Sequence, residues 1–138
     1  MSLEFNGIIQ RKLALLDKQV SQLEKHLSGV GIQQFAGDWM LRSMAERALQ
    51  VCVEIMIDVA ERIIALRGGG PVATAAEAMQ RLVDYGLVAA DNPYEKMVRF
   101  RNLIVHQYEE IDPALLHDLA TRHLGDFRRF RDEIDRAG

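Results

Sequence analysis

Ile9, Leu13, Leu16, Val20, Leu23 and Leu27 follow one another at alternating four- and three-residue steps, the spacing of an apolar seam along one side of an α-helix. The pattern predicts a first helix from about Asn6 to Leu27. Ser28-Gly29-Val30-Gly31 ends it, since glycine suits the left-handed turn at a helix C-terminus. The heptad run is short, so the seam reads as packing inside a bundle rather than as a free-standing coiled coil. A longer second helix is expected to start near Asp38, a residue type suited to the N-cap, and to stop at Gly68. From Ala48 to Ile64 it is apolar almost all round, which marks a central helix covered on several sides. Arg47, Gln50, Glu54, Asp58 and Glu61 interrupt it at steps of three and four and form one narrow polar stripe. A solvated face is the simpler reading of that stripe. The other is a cleft or dimer seam, where buried charges would need partners.

Gly68-Gly69-Gly70-Pro71 breaks the chain before Thr74 and Glu77, whose spacing is that of a capping box for a third helix to about Tyr85. Asp91-Asn92-Pro93 opens a fourth helix, because proline is tolerated in a first turn. Met97, Phe100, Ile104 and Leu103 supply its apolar face. Asp112-Pro113 repeats the device for a fifth helix running almost to the end, with Leu115, Leu116, Leu119, Leu124, Phe127 and Phe130 as its buried side. Period-two alternation and tight hairpin turns are missing. The expectation is an all-α fold, a bundle of four or five helices forming one domain over residues 1–138.

Composition adds limits. Hydrophobic residues make up 49% and charged residues 27%, ordinary for a globular chain long enough to bury a core. The single Cys52 cannot form an intramolecular disulfide and sits in an apolar run, where it packs as a small hydrophobe. No secretory leader or membrane-spanning stretch is read, and the expected location is the cytoplasm. A formal net charge of −3 argues against broad, nonspecific nucleic-acid affinity, though not against a local basic cleft. Arg99, Arg101, Arg122, Arg128, Arg129 and Arg131 are the candidates for such a cleft, and a chain acting on RNA should converge them on one surface.

The chemistry concentrates in Arg101-Asn102-Leu103-Ile104-Val105-His106-Gln107-Tyr108. Arginine holds a phosphate bidentately, and histidine titrates near neutral pH. On an ideal helix Arg101 and Tyr108 share a face, Asn102 and His106 are neighbours, and Arg101 and His106 are set well apart. By spacing alone the bland reading leads: a histidine near a helix C-terminus is electrostatically favoured, and an exposed arginine needs no explanation. Other sites are weaker still. His26, His106, His117 and His123 lack zinc spacing, and no metal or cofactor is expected. The glycine run lacks the rest of a phosphate loop, and Ser21, Ser28 and Ser43 have no nucleophile-elbow context.

The same eight residues resemble the Arg-x4-His-x-Tyr signature of the HepT-like toxins, within the HEPN helical superfamily. The likeness extends to Arg47-Ala48-Leu49-Gln50, Glu54, Asp58-Val59-Ala60 and Ile63-Ile64 on the second helix and to Ile111-Asp112-Pro113 after the signature. It implies a HEPN-like homodimer acting as a metal-independent endoribonuclease toxin, with both signature helices at a shared cleft. It also implies a cognate antitoxin of minimal nucleotidyltransferase fold, able to transfer AMP onto Tyr108. On that reading Arg101, His106 and Asn102 are catalytic, Tyr108 is the modification and substrate-contacting residue, and Glu54 and Arg47 support them. The competing reading is a noncatalytic helical dimer that binds or regulates a nucleotidyltransferase.

Overall fold

The structure is a computed structural model that describes residues 7–106 and 110–137. Among these residues all regular structure is helical: α1 (Gly7–Leu27), α2 (Ile32–Ala36), α3 (Trp39–Leu66), α4 (Ala75–Asp84), α5 (Tyr94–His106), α6 (Pro113–Arg122) and α7 (Leu124–Ala137). α3 is the axis of the bundle, packing against α1, α2, α4, α5 and α6. The six seam residues of α1 are all buried, as their spacing predicts. Ten residues of α3 from Ala45 to Ile64 join them. Fully burying one such side chain is worth about 1.5–3 kcal/mol, so the aligned apolar faces of α1 and α3 hold the bundle together. No polar or charged side chain is fully buried among the described residues. Cys52 lies in this core, and burial pushes its thiol pKa up to about 12, far from a reactive thiolate.

The expected helix starts rest on observed hydrogen bonds. Asp38 accepts from the Leu41 amide at 3.1 Å, Thr74 from the Glu77 amide at 3.1 Å, and Asp112 from the Ala114 amide at 3.0 Å. Gly29, Gly68 and Gly86 adopt a left-handed φ of 75° after α1, α3 and α4, respectively.

Two elements differ from the four- or five-helix expectation. A short α2 lies between Gly31 and Gly37, held by a fully buried Phe35 whose ring meets that of His117 at 5.2 Å. The expected fifth helix is two helices, broken at His123 (φ −117°, ψ 14°). His123 Nε2 sits 3.1 Å from Asp118 and its Nδ1 3.6 Å from Asp126, so the break is held by side chains on both sides of it. Leu115 and Leu103, both expected to face the core, are exposed.

The arginines do not converge. Arg128 makes a two-pronged bond to Glu24 of α1 at 3.0 and 3.1 Å, and Arg131 pairs with Asp17 of the same helix. Arg129 reaches Asp91 at 2.9 Å, Arg122 lies 3.8 Å from Asp118, and Arg99 lies 3.6 Å from Glu95. Each guanidinium is matched by a carboxylate, and those of α7 fasten it to α1 and to the chain before α5. This corrects the expectation of a shared basic surface.

Candidate functional site

α3 and α5 position the candidate residues. Arg101 projects from the third turn of α5 toward α3, where its Nη1 lies 4.0 Å from Glu54 Oε2. The same Glu54 oxygen accepts a hydrogen bond from Gln50 Nε2 at 3.2 Å. The Arg101 side chain is 21% exposed, and its buried Nε has no hydrogen-bond partner. Glu54 therefore orients the guanidinium without saturating it, and donors remain for an incoming anion.

The stripe on α3 is only partly the solvated face expected of it. Arg47 and Glu61 at its ends are exposed, whereas Gln50, Glu54 and Asp58 are half-buried. Asp58 pairs with Lys12 of α1 and, at 3.5 Å, with Arg62. Arg47 has no acceptor among the described residues.

Asn102 and His106 are exposed on the flank of α5 next to Arg101, and His106 is its last residue. Five residues at about 100° each place Arg101 and His106 roughly 140° apart around the helix, so one protomer does not bring the two head groups together. Tyr108 lies outside the described residues.

Just past the signature, Glu110 accepts from Arg42 of α3 at 2.7 Å. Arg101 is thus level with Glu54, and Glu110 with Arg42, nearer the start of α3. Glu46, one turn from Arg42, is drawn into this end of the site. Burial first, and then the charge of Glu110, hold its carboxyl above the usual carboxylate range, with Arg42 opposing. Glu46 and the Arg42–Glu110 tie did not figure in the reading of the sequence, although Arg42, Glu46, Gln50 and Glu54 form a visible row at four-residue steps.

A cavity of about 420 Å³ opens among α3, α5, α6 and α7, walled by Leu49, Val53, Met97, Phe100, Leu119 and Phe127. Met97 and Phe100 lie on the side of α5 away from Asn102 and His106, so neither of those two residues lines it. Among the described residues, no group of three or more His, Cys, Asp or Glu side chains is placed to hold a metal ion, and no helix is long and apolar enough to cross a membrane.

Comparison with known proteins agrees with this arrangement. The family model described as ribonuclease HepT-like matches residues 16–134. The mRNA nuclease HepT of Shewanella oneidensis is 30% identical over 132 residues, 94% of this chain and 97% of the relative. The tRNA nuclease HepT of Aphanizomenon flos-aquae is 25% identical over 108 residues, 77% of this chain and 73% of the relative. A solved structure of a tri-AMPylated Shewanella oneidensis HEPN toxin in complex with its MNT antitoxin superimposes with a TM-score of 0.85 at 30% identity, covering 97% of this chain and all of that one. With the family model matching most of the chain and a relative 30% identical over nearly its full length, the chain belongs to the HepT-like ribonuclease family.

Proposed function

We propose that this chain is the ribonuclease toxin of a toxin–antitoxin pair, a single HEPN-like domain that cleaves RNA through its own 2′-hydroxyl as a cytoplasmic homodimer. The observation that carries the reading is Arg101, held by Glu54 with donors to spare, five residues before an exposed His106. Neutral His106 takes the proton of the 2′-hydroxyl as its oxygen attacks phosphorus. Arg101 binds the nonbridging oxygens as negative charge grows on the phosphorane. The 5′-oxygen leaves with a proton from a protonated His106, leaving a 2′,3′-cyclic phosphate and a 5′-hydroxyl. The separation of Arg101 and His106 around α5 is what makes a dimer useful: two signature helices at one cleft place the arginine of one copy near the histidine of the other and supply one histidine as base and one as acid. Asn102 orients His106 or the phosphate, and Arg47 adds a cation to the cleft.

The same reading extends to control. The Shewanella oneidensis toxin carries AMP groups in complex with an MNT antitoxin. On this chain the acceptor is Tyr108, two residues past His106, and a bulky anionic nucleotide there would fill the cleft and repel the RNA backbone. The cognate partner is a minimal nucleotidyltransferase.

The test is RNA cleavage by the purified protein in the presence of a chelator. Wild type cuts, His106→Ala loses at least about 10²-fold, the lower range for a positioned acid–base group, and Arg101→Ala loses a similar factor. Equal cleavage by wild type and His106→Ala overturns the assignment.

A further inference from the structure

Trp39 and Met40, in the first turn of α3, are the most exposed large hydrophobic side chains among the described residues, at 69% and 72%. No other exceeds 49%. Trp39 is the only tryptophan in the chain. Its place on α3 is informative. Residues 39, 43, 46, 50 and 54 follow at steps of four, three, four and four, so the indole heads the same helix face that presents Gln50 and Glu54 to Arg101. Along that face Trp39 lies about 22 Å from Glu54 and about 12 Å from Arg47 at 1.5 Å rise per residue. Arg101 meets this face at Glu54, and Glu110, two residues past the signature, meets Arg42, within one turn of Trp39 on α3. Arg101 beside Glu54, then Arg47, which has no acceptor among the described residues, and then Trp39 therefore succeed one another along this face.

We propose that Trp39, with Met40 beside it, is a stacking platform for an unpaired base of the RNA substrate, and that Arg47 holds the backbone phosphate between that base and the scissile bond. The inference rests on the ribonuclease reading above. Its surroundings favour a base over a protein surface. Asp38 and Ser43 are polar neighbours of the pair in the sequence, and Arg47 lies about two turns further along α3. A protein hot spot is ordinarily ringed by packed contacts that exclude water. A single flat aromatic with a guanidinium about two turns along the same helix offers what a splayed nucleotide requires: a π-face for the base and a cation for the phosphate. A stacked base contributes about 1–3 kcal/mol, which is roughly 5- to 150-fold in affinity.

The lone tryptophan makes the contact directly observable. A 2′-O-methyl RNA oligonucleotide, unable to be cut, is titrated into the full-length dimer. Tryptophan emission and the anisotropy of a label on the oligonucleotide are followed together. Saturable quenching with the same midpoint as the anisotropy is expected. Trp39→Ala should weaken binding roughly ten-fold and raise KM for cleavage while kcat holds, and Trp39→Phe should recover part of the loss. Binding seen by anisotropy with no change in emission overturns the platform and leaves the ribonuclease reading standing. Emission that responds only to the nucleotidyltransferase partner also overturns it and makes the surface a protein contact. No binding of the oligonucleotide together with no cleavage of RNA by wild type overturns both.

Discussion

Arg101 faces a carboxylate at 4.0 Å, long for a charge-assisted bond, and the arginine keeps an unsatisfied Nε. A lysine there would keep the charge but lose the planar fork that meets two phosphate oxygens at once. Arg101→Lys is therefore expected to fold normally yet cleave RNA at least about ten-fold more slowly, as removing one transition-state donor would. Cleavage near the wild-type rate would mean that charge alone suffices. Glu46 gives a pH prediction. Its carboxyl is held above the ordinary value by burial and by Glu110, so the folded state keeps this proton more tightly than the unfolded chain. Its contribution to stability therefore falls as pH rises from the unfolded carboxylate value through the raised folded one. Glu46→Gln should melt higher than wild type by roughly a degree or two near neutral pH, the gap closing in acid. A gap that widens in acid would contradict the placement of Glu46 beside Glu110.

At the scale of the helices, the parts legible in the sequence were those with a repeating physical cause. The α1 seam buries as spaced, and the Asp38, Thr74 and Asp112 caps begin α3, α4 and α6. What escaped had no periodic signal. α2 is one turn anchored by Phe35 between glycines, too short to show a pattern. The break at His123 carries neither proline nor a left-handed glycine, and depends on Asp118 and Asp126 meeting the imidazole in three dimensions. The α7 arginines look like an RNA track until their partners on another helix are known. Arg128 is the test. Glu24 lies below its ordinary carboxylate range through the hydrogen bond from Arg128, so the clamp holds above that range and is lost as pH falls through the lowered value. Arg128→Ala should speed hydrogen exchange in α7 and leave RNA cleavage within about two-fold, since exposed surface pairs contribute little to the fold as a whole. A several-fold fall in RNA affinity would return α7 to the substrate path.

For the whole molecule, a net charge of −3 with the α7 arginines paired internally leaves little free positive surface. RNA binding then depends on a few placed contacts rather than on a broad basic face. The candidate site was half legible. The stripe on α3 and the signature pointed to each other, and Glu54 does meet Arg101; the separation of Arg101 from His106 around α5 could be computed from spacing but not resolved within one chain. On the proposed reading a second copy resolves it, and co-expression with the nucleotidyltransferase partner should add AMP masses that Tyr108→Phe abolishes. An unmodified wild-type protein would remove Tyr108 from the control mechanism.

The central claim is that RNA is cut by its own 2′-hydroxyl under the action of Arg101 and His106. It is tested most directly by a short RNA cleaved at one known position, compared in chelator with the same strand carrying a single 2′-deoxynucleotide 5′ to that bond. The account predicts a 2′,3′-cyclic phosphate end from the all-RNA strand and an intact deoxy-substituted strand. Cleavage of the substituted strand at the same bond, or a requirement for added divalent metal, would contradict it.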